Sequence, residues 1–95
     1  MKVRWAESAE ADLDALTLHI AVDGVQNALR IQERLLEAAN GLSDFPLQGR
    51  LGRIPETREL VVTGTPYLEV YAILDDAVWI LHVVHGAQDW PPEID

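Results

Sequence analysis

The residues with which this 95-residue chain could do chemistry are few: three histidines, seven cations and sixteen acids. Cleaving a phosphodiester needs a general base, a general acid and cations to hold the charge that develops on the phosphate. His82 and His85 are candidates for the proton transfers and Arg58 for the phosphate. Both histidines lie in Val78-Trp79-Ile80-Leu81-His82-Val83-Val84-His85, an apolar run that reads as a strand. Three residues apart on an extended chain, they point to opposite faces and cannot together ligate one metal. The bland alternative makes His82 a half-buried strand residue and His85 a strand-end residue. His19 stands in a helical stretch with no carboxylates arranged as in a zinc motif, so no metal is expected. Glu69 and Tyr71 share a strand face, but one carboxylate beside one phenol specifies little. Gly49-Arg50-Leu51-Gly52 is not a phosphate loop, since no strand and helix flank it, and no cofactor is expected. The chain has no cysteine, which excludes a thiolate nucleophile, a disulfide and a thiolate metal site.

The net charge of −9 argues against broad electrostatic capture of nucleic acid, whose affinity comes mostly from neutralised phosphates. Arg50, Arg53 and Arg58 nevertheless fall within nine residues that hold one acid, Glu56. An anionic partner would meet that segment first. Equally, the three arginines could pair with nearby carboxylates at little net energetic gain.

These residues must be positioned by a small scaffold. Ninety-five residues suffice for one domain and one core. Lys2-Val3-Arg4-Trp5 alternates as a short strand does. Ser8 is a plausible N-cap, with Glu10, Asp12 and Asp14 after it and Leu13, Leu16 and Ile20 forming an apolar stripe, so a helix is expected over 8–22. Asp23-Gly24 breaks it, and Asp23 with Gln26 suggests a cap for a second helix that ends near Gly41. The wide apolar arc of the second helix should touch both the first helix and a sheet. Residues 44–55 carry too much proline and glycine for regular structure. Three β-rich runs follow, over 58–62, 67–74 and 78–85, joined by the turns Thr63-Gly64-Thr65-Pro66 and Asp75-Asp76-Ala77. Alternation puts Val78, Ile80, His82 and Val84 on one face of the last strand, and Trp79, Leu81, Val83 and His85 on the other. Both faces are largely apolar, as in a strand covered on both sides. The expected fold is α+β: an N-terminal strand, an antiparallel helix hairpin and a three-stranded antiparallel meander, β-α-α-β-β-β, with the helices on one face. Trp90, just past the last strand, should close one end of the core or serve as an aromatic anchor for a partner.

Several landmarks recur in a fixed order: Ala9-Glu10-Ala11-Asp12-Leu13, Phe45-Pro46-Leu47-Gln48-Gly49-Arg50-Leu51-Gly52-Arg53, Thr57-Arg58-Glu59-Leu60-Val61-Val62, Pro66-Tyr67, Val70-Tyr71 and 81–91. In that order they resemble the RelE/ParE superfamily of type II toxin–antitoxin toxins, over nearly the whole chain. The resemblance implies one of two activities. RelE-like members cleave mRNA on the ribosome with basic residues; ParE-like members poison DNA gyrase and are not known as nucleases. Where many relatives carry arginine, this chain has Leu68 and Glu69, Ala72, and His82, so the resemblance favours the ParE-like branch and an absence of enzymatic activity. The nuclease alternative would use Arg58, His82 and His85.

The resemblance further implies a cognate antitoxin, a DNA-binding dimer with a segment that folds as it wraps the toxin, and hence a hetero-oligomer. Leu13, Leu16 and Ile20 on the first helix, with Arg50, Arg53, Arg58, Tyr67, Tyr71 and Trp90, are the expected partner- and target-binding residues. No direct DNA binding by this chain alone and no membrane association are expected. With no apolar run of about 18 residues and no signal-like N-terminus, the expected location is the cytoplasm.

Overall fold

The structure is a computed structural model that describes residues 1–92. The chain runs β1 (Lys2–Trp5), α1 (Glu7–Ala21), α2 (Val25–Gly41), β2 (Arg50–Leu51), β3 (Arg58–Val61), β4 (Tyr67–Leu74) and β5 (Ala77–His85). The strands form one mixed sheet in the order β1-β5-β4-β3-β2, with β1 parallel to β5 and the other pairs antiparallel. The α+β order of elements is as expected, and two strands extend the meander. Residues 44–55 are not wholly irregular: Arg50 pairs with Glu59 and Leu51 with Arg58, forming the short edge strand β2.

Two local expectations fail: neither helix begins at the residue whose side chain suits a cap, and neither start carries a side-chain cap bond. The cap of α1 is Ala6, not Ser8, and Ala6 bonds the sheet through its own amide to the Ile80 carbonyl. The cap of α2 is Gly24 rather than Asp23, with no side-chain bond, and the Gly24 amide instead closes the end of α1 on the Ile20 carbonyl. Asp75 and Asp76, both at positive φ, make the two-residue β4–β5 hairpin turn, in which a short polar side chain tolerates the left-handed conformation.

The face assignment of β5 also needs correction. Val70 pairs with His82 but Tyr71 pairs with Ile80, so Leu81 is an extra residue in β5. This bulge shifts the alternation by one. Val78, Ile80 and Val83 therefore all face the helices, while His82 and Val84 face away with Leu68 and Val70. Without the bulge, Val83 would leave the core and His82 would enter it.

The helix-covered core has two parts. Ala9, Ala39, Leu42, Leu60, Tyr71, Val78 and Ile80 form one. Leu13, Leu16, Ile31, Leu35, Val62 and Val83 form the other, so α2 does bridge α1 and the sheet. On the opposite face Leu68, Val70 and Val84 are covered by Trp90, which closes the core from behind.

Glu69 lies on the helix-covered face, fully buried, with neither carboxyl oxygen hydrogen-bonded. Burial pushes its pKa from 4.5 up to about 8, against the pull of the Arg34 charge. Arg34 itself donates from Nε to the Thr63 carbonyl at 3.1 Å. The folded chain thus holds this proton up to about pH 8, whereas the unfolded chain releases it near 4.5. Between those values the folded state binds more protons, and its stability falls as pH rises. Glu69→Gln keeps the shape and removes the titration. Thermal melts should show the wild type losing a few kcal/mol across that window that the variant retains. Parallel pH profiles for the two proteins would exclude a buried neutral Glu69.

Candidate functional site

The open face of the sheet carries a line of polar contacts from β2 to α1. Glu59, buried on β3, accepts from Arg50 Nη2 at 3.1 Å and from the Arg53 amide at 3.0 Å, with Arg53 Nε at 3.8 Å. Arg53 Nη1 donates to the Trp90 carbonyl at 2.6 Å. The Trp90 ring lies 5.1 Å from the His82 ring. His82 Nδ1 meets Asp12 Oδ2 at 3.0 Å, and the same oxygen accepts the Val83 amide at 3.0 Å.

The position of Asp12 follows from strand length. Four residues of β1 pair with Ala77 to Ile80, which leaves the outer edge of β5 from Leu81 onward without a strand. There α1 takes over: Ser8 Oγ donates to the Leu81 carbonyl at 2.7 Å, and Asp12 accepts from Val83. Ser8 and Asp12 are four apart, on one side of the helix, as completing a single edge requires. An aspartate that accepts from Val83 is placed to accept also from His82 Nδ1–H. That tautomer leaves Nε2 as a proton acceptor at a half-exposed position.

A second set of contacts pins the loop after α2. Tyr71 Oη donates to the Pro46 carbonyl at 2.8 Å and accepts the Gly49 amide at 2.8 Å. Arg58 Nη1 donates to the carbonyls of Leu47 at 3.3 Å and Gly49 at 2.8 Å. A Cβ at Gly49 would stand 2.7 Å from the Tyr71 ring, so only glycine permits this approach. Burial raises the Tyr71 pKa, while the Gly49 amide and the Arg58 charge pull it down.

The expected site residues are thus dispersed. Arg58 and His85 lie on the helix-covered face, opposite Tyr71 and Tyr67 on β4, about 13 Å apart along the strand. His82 is on the other face. His85 Nδ1 accepts the Ala87 amide at 3.0 Å, and its ring packs edge-on against Tyr67 at 5.5 Å. Arg58, His82 and His85 therefore do not converge on one point. Leu13, Leu16 and Tyr71 are buried in the core, and Ile20 packs against it. Arg50, Arg53 and Trp90 do meet, joined by contacts that also involve Glu59. Among the described residues no cluster of three metal-ligating side chains occurs.

Sequence reasoning missed Glu59 and Asp12. Glu59 lies one residue beyond the arginine-rich segment, and its place opposite Arg50 depends on β2. Asp12 reads as an ordinary acid near a helix start, although its spacing from Ser8 marks a shared face.

The chain matches the family described as the ParE toxin of the type II toxin–antitoxin system parDE over residues 3–90. It belongs to the ParE toxin family. Y4kP of Sinorhizobium fredii is 40% identical over 90 residues, spanning 95% of this chain and 93% of that protein. Toxin RelE2 of Caulobacter vibrioides is 37% identical over 87 residues, or 92% and 97% of the two. The solved structure of a chromosomal ParDE toxin–antitoxin system from P. aeruginosa has a TM-score of 0.81 and 25% identity, over 90% of this chain and 95% of that one.

As a ParE-family toxin the chain is built on contacts whose loss can be measured. Asp12→Ala leaves the Val83 amide unsatisfied and should cost about 1–3 kcal/mol in chemical denaturation, most of it restored by Asp12→Asn. Tyr71→Phe removes the two hydrogen bonds that Tyr71 makes to the loop, including the one that protects the Gly49 amide, and leaves the two from Arg58. The Gly49 amide should then exchange faster with solvent while amides of α1 keep their rates, and equal rates at Gly49 would show that the loop is held by other means.

Proposed function

We propose that this ParE-family toxin arrests growth by binding DNA gyrase and is neutralised by direct contact with a cognate antitoxin. The observation that supports the gyrase reading is the engagement of the loop arginines. Arg50 and Arg53 are paired with buried Glu59, and Arg58 is turned onto loop carbonyls. Cations so engaged are poorly placed to stabilise a cleaving phosphate, which is the largest need of a metal-free nuclease. A protein target makes no such demand, and a net charge of −9 poses no obstacle to it.

For the antitoxin the supporting feature is the outer surface of the helix hairpin. The residues first expected there, Leu13 and Leu16, belong to the core. Leu18, Val22, Val25 and Leu29 are instead exposed around the hairpin turn. An amphipathic segment could cover them, as helix-in-groove recognition requires. No helix among the described residues is long and apolar enough to cross a membrane, and on this reading the toxin and its antitoxin meet in the cytoplasm as a hetero-oligomer.

One observation favours a second reading, an mRNA endoribonuclease. His82 held by Asp12 presents Nε2 as a base beside Trp90. Two assays separate the readings. On the gyrase reading the purified chain inhibits supercoiling by purified gyrase, and His82→Ala with His85→Ala leaves that inhibition within about threefold. Cells expressing the toxin arrest with intact messages. New mRNA 5′ ends inside translated codons, absent with the double variant, would establish the nuclease.

A further inference from the structure

Helical spacing sorts the outer surface of the hairpin into rows. On α1, Glu7, Glu10, Asp14 and Leu18 follow one another at three- and four-residue steps, and on α2 Val25, Leu29, Glu33 and Leu36 do the same. All eight are exposed. Glu10 and Asp14 from the first row and Leu36 from the second line one cleft with Trp5 and Leu13, so the rows flank the line where the helices meet. Both rows are apolar beside the turn, and every charge farther along them is negative. Glu7, Glu10, Asp14 and Glu33 make no ion pair among the described residues. The two helices hold just two cations, and both belong to a separate row of α2 with Asn27. There Arg30 Nη2 donates to Asn27 Oδ1 at 2.7 Å, and Arg34 to the Thr63 carbonyl.

We propose that the two rows seat a basic amphipathic segment of the antitoxin, whose apolar residues cover the turn end and whose arginine or lysine enters the cleft between Glu10 and Asp14, against Trp5. The inference rests on the reading that the antitoxin covers the hairpin, and adds the chemistry and the direction of the segment. Charge selects the occupant. Four unpaired carboxylates along a strip without a cation repel an acidic segment and attract a basic one. The walls of the cleft select the residue. A long cationic side chain can lay its methylene stem along Leu13 and Leu36 while its charge stays at the carboxylates of the rim. The indole of Trp5 beside it adds a cation–aromatic attraction. Direction follows from the helix. Eleven residues separate Val25 from Leu36, about 16 Å along α2, so a helical segment would carry its cation about three turns from its apolar anchors.

The test measures binding of the antitoxin encoded beside the toxin to the wild type, to a Glu10→Gln, Asp14→Asn double variant and to Leu29→Ser. The double variant should melt at the wild-type temperature, arrest growth as strongly when expressed alone, and bind the antitoxin with a Kd about tenfold higher or more. The wild-type complex should weaken as salt rises, and that dependence should flatten in the double variant. An unchanged Kd, or a wild-type complex indifferent to salt, overturns the proposal. Leu29→Ser keeps the two readings apart. If it weakens binding while the double variant does not, the antitoxin stays on the hairpin and the basic anchor is lost; if neither weakens binding, the hairpin reading fails as well. Loss of growth arrest with antitoxin binding intact would assign the cleft to the target. A toxin that is dimeric alone and monomeric as the double variant would assign it to a second copy, and either result overturns the proposal. Should the double variant melt early, Asp14→Asn alone and the salt dependence of the wild-type complex are read by the same criteria. An antitoxin that fails to bind the wild type overturns both readings.

Discussion

The outer edge of β5 is the constraint on which the rest of the fold depends. This strand is buried on both faces, and an unsatisfied amide or carbonyl beside it would cost about as much as a typical destabilising mutation. β4 completes one edge along the full length of the strand, but β1 has only four residues to give to the other. The chain solves this by letting α1 continue where β1 stops. Ala6, Ser8 and Asp12 satisfy Ile80, Leu81 and Val83 in turn. That sets the line of α1 against the sheet, and with it the direction in which Leu13 and Leu16 point. Helix α2 then has one place to pack, over Val62 and Val83, and the loop after it must descend beside β3. The bulge at Leu81 belongs to the same solution. It turns the Leu81 carbonyl toward Ser8 while Val83 stays in the core.

The cations show how a strongly acidic chain occupies its arginines. In a chain with sixteen acids and seven bases, a free arginine is soon paired. Glu59 draws in Arg50 and Arg53, the Arg53 guanidinium also reaches the Trp90 carbonyl, and Arg4 lies 5.9 Å from the centre of the Trp79 ring. Each contact is modest at the surface, but together they convert potential ligands for phosphate into ties between loops. Electrostatic stabilisation of a phosphorane needs donors already aimed and not otherwise occupied.

The sequence revealed those features that depend on neighbours in the chain. Leu13, Leu16 and Ile20 recur at helical spacing, and 67–74 alternates, so the helices and the meander could be read directly. Features that depend on pairing across the sheet were hidden. Nothing local to Leu81 signals a bulge, since a strand apolar on both faces looks the same before and after a one-residue shift. The Asp12–His82 pair joins residues 70 positions apart, and Glu59 meets Arg50 through a strand of two residues. Ser8 and Asp23 have the residue types of caps, but Ser8 spends its hydroxyl on the Leu81 carbonyl and the helices start at Ala6 and Gly24 with no side-chain cap bond. Which side of α1 is covered needed the sheet as well: Leu13 and Leu18 lie on different sides of the helix, and the position of the sheet makes the first core and the second surface.

Glu69 shows what such a small core tolerates. At 0% exposure with no hydrogen bond, an ionised carboxylate there would be untenable, and the group survives by holding its proton. Arg34 could have neutralised it, yet Arg34 bonds the Thr63 carbonyl in the β3–β4 turn instead. Pairing the two would bring a second charge into the apolar layer of Leu16, Ile31 and Leu35, and desolvating both ions generally cancels the attraction between them. Keeping the arginine at the rim and the acid neutral avoids that cost and leaves the turn before β4 anchored. The same choice recurs at Arg58, which holds loop carbonyls rather than a carboxylate. In both places a cation fixes the backbone of a loop beside β3, the turn after it at Thr63 and the loop before β2 at Leu47 and Gly49. These anchors fix loop backbone that a two-residue edge strand could not hold alone.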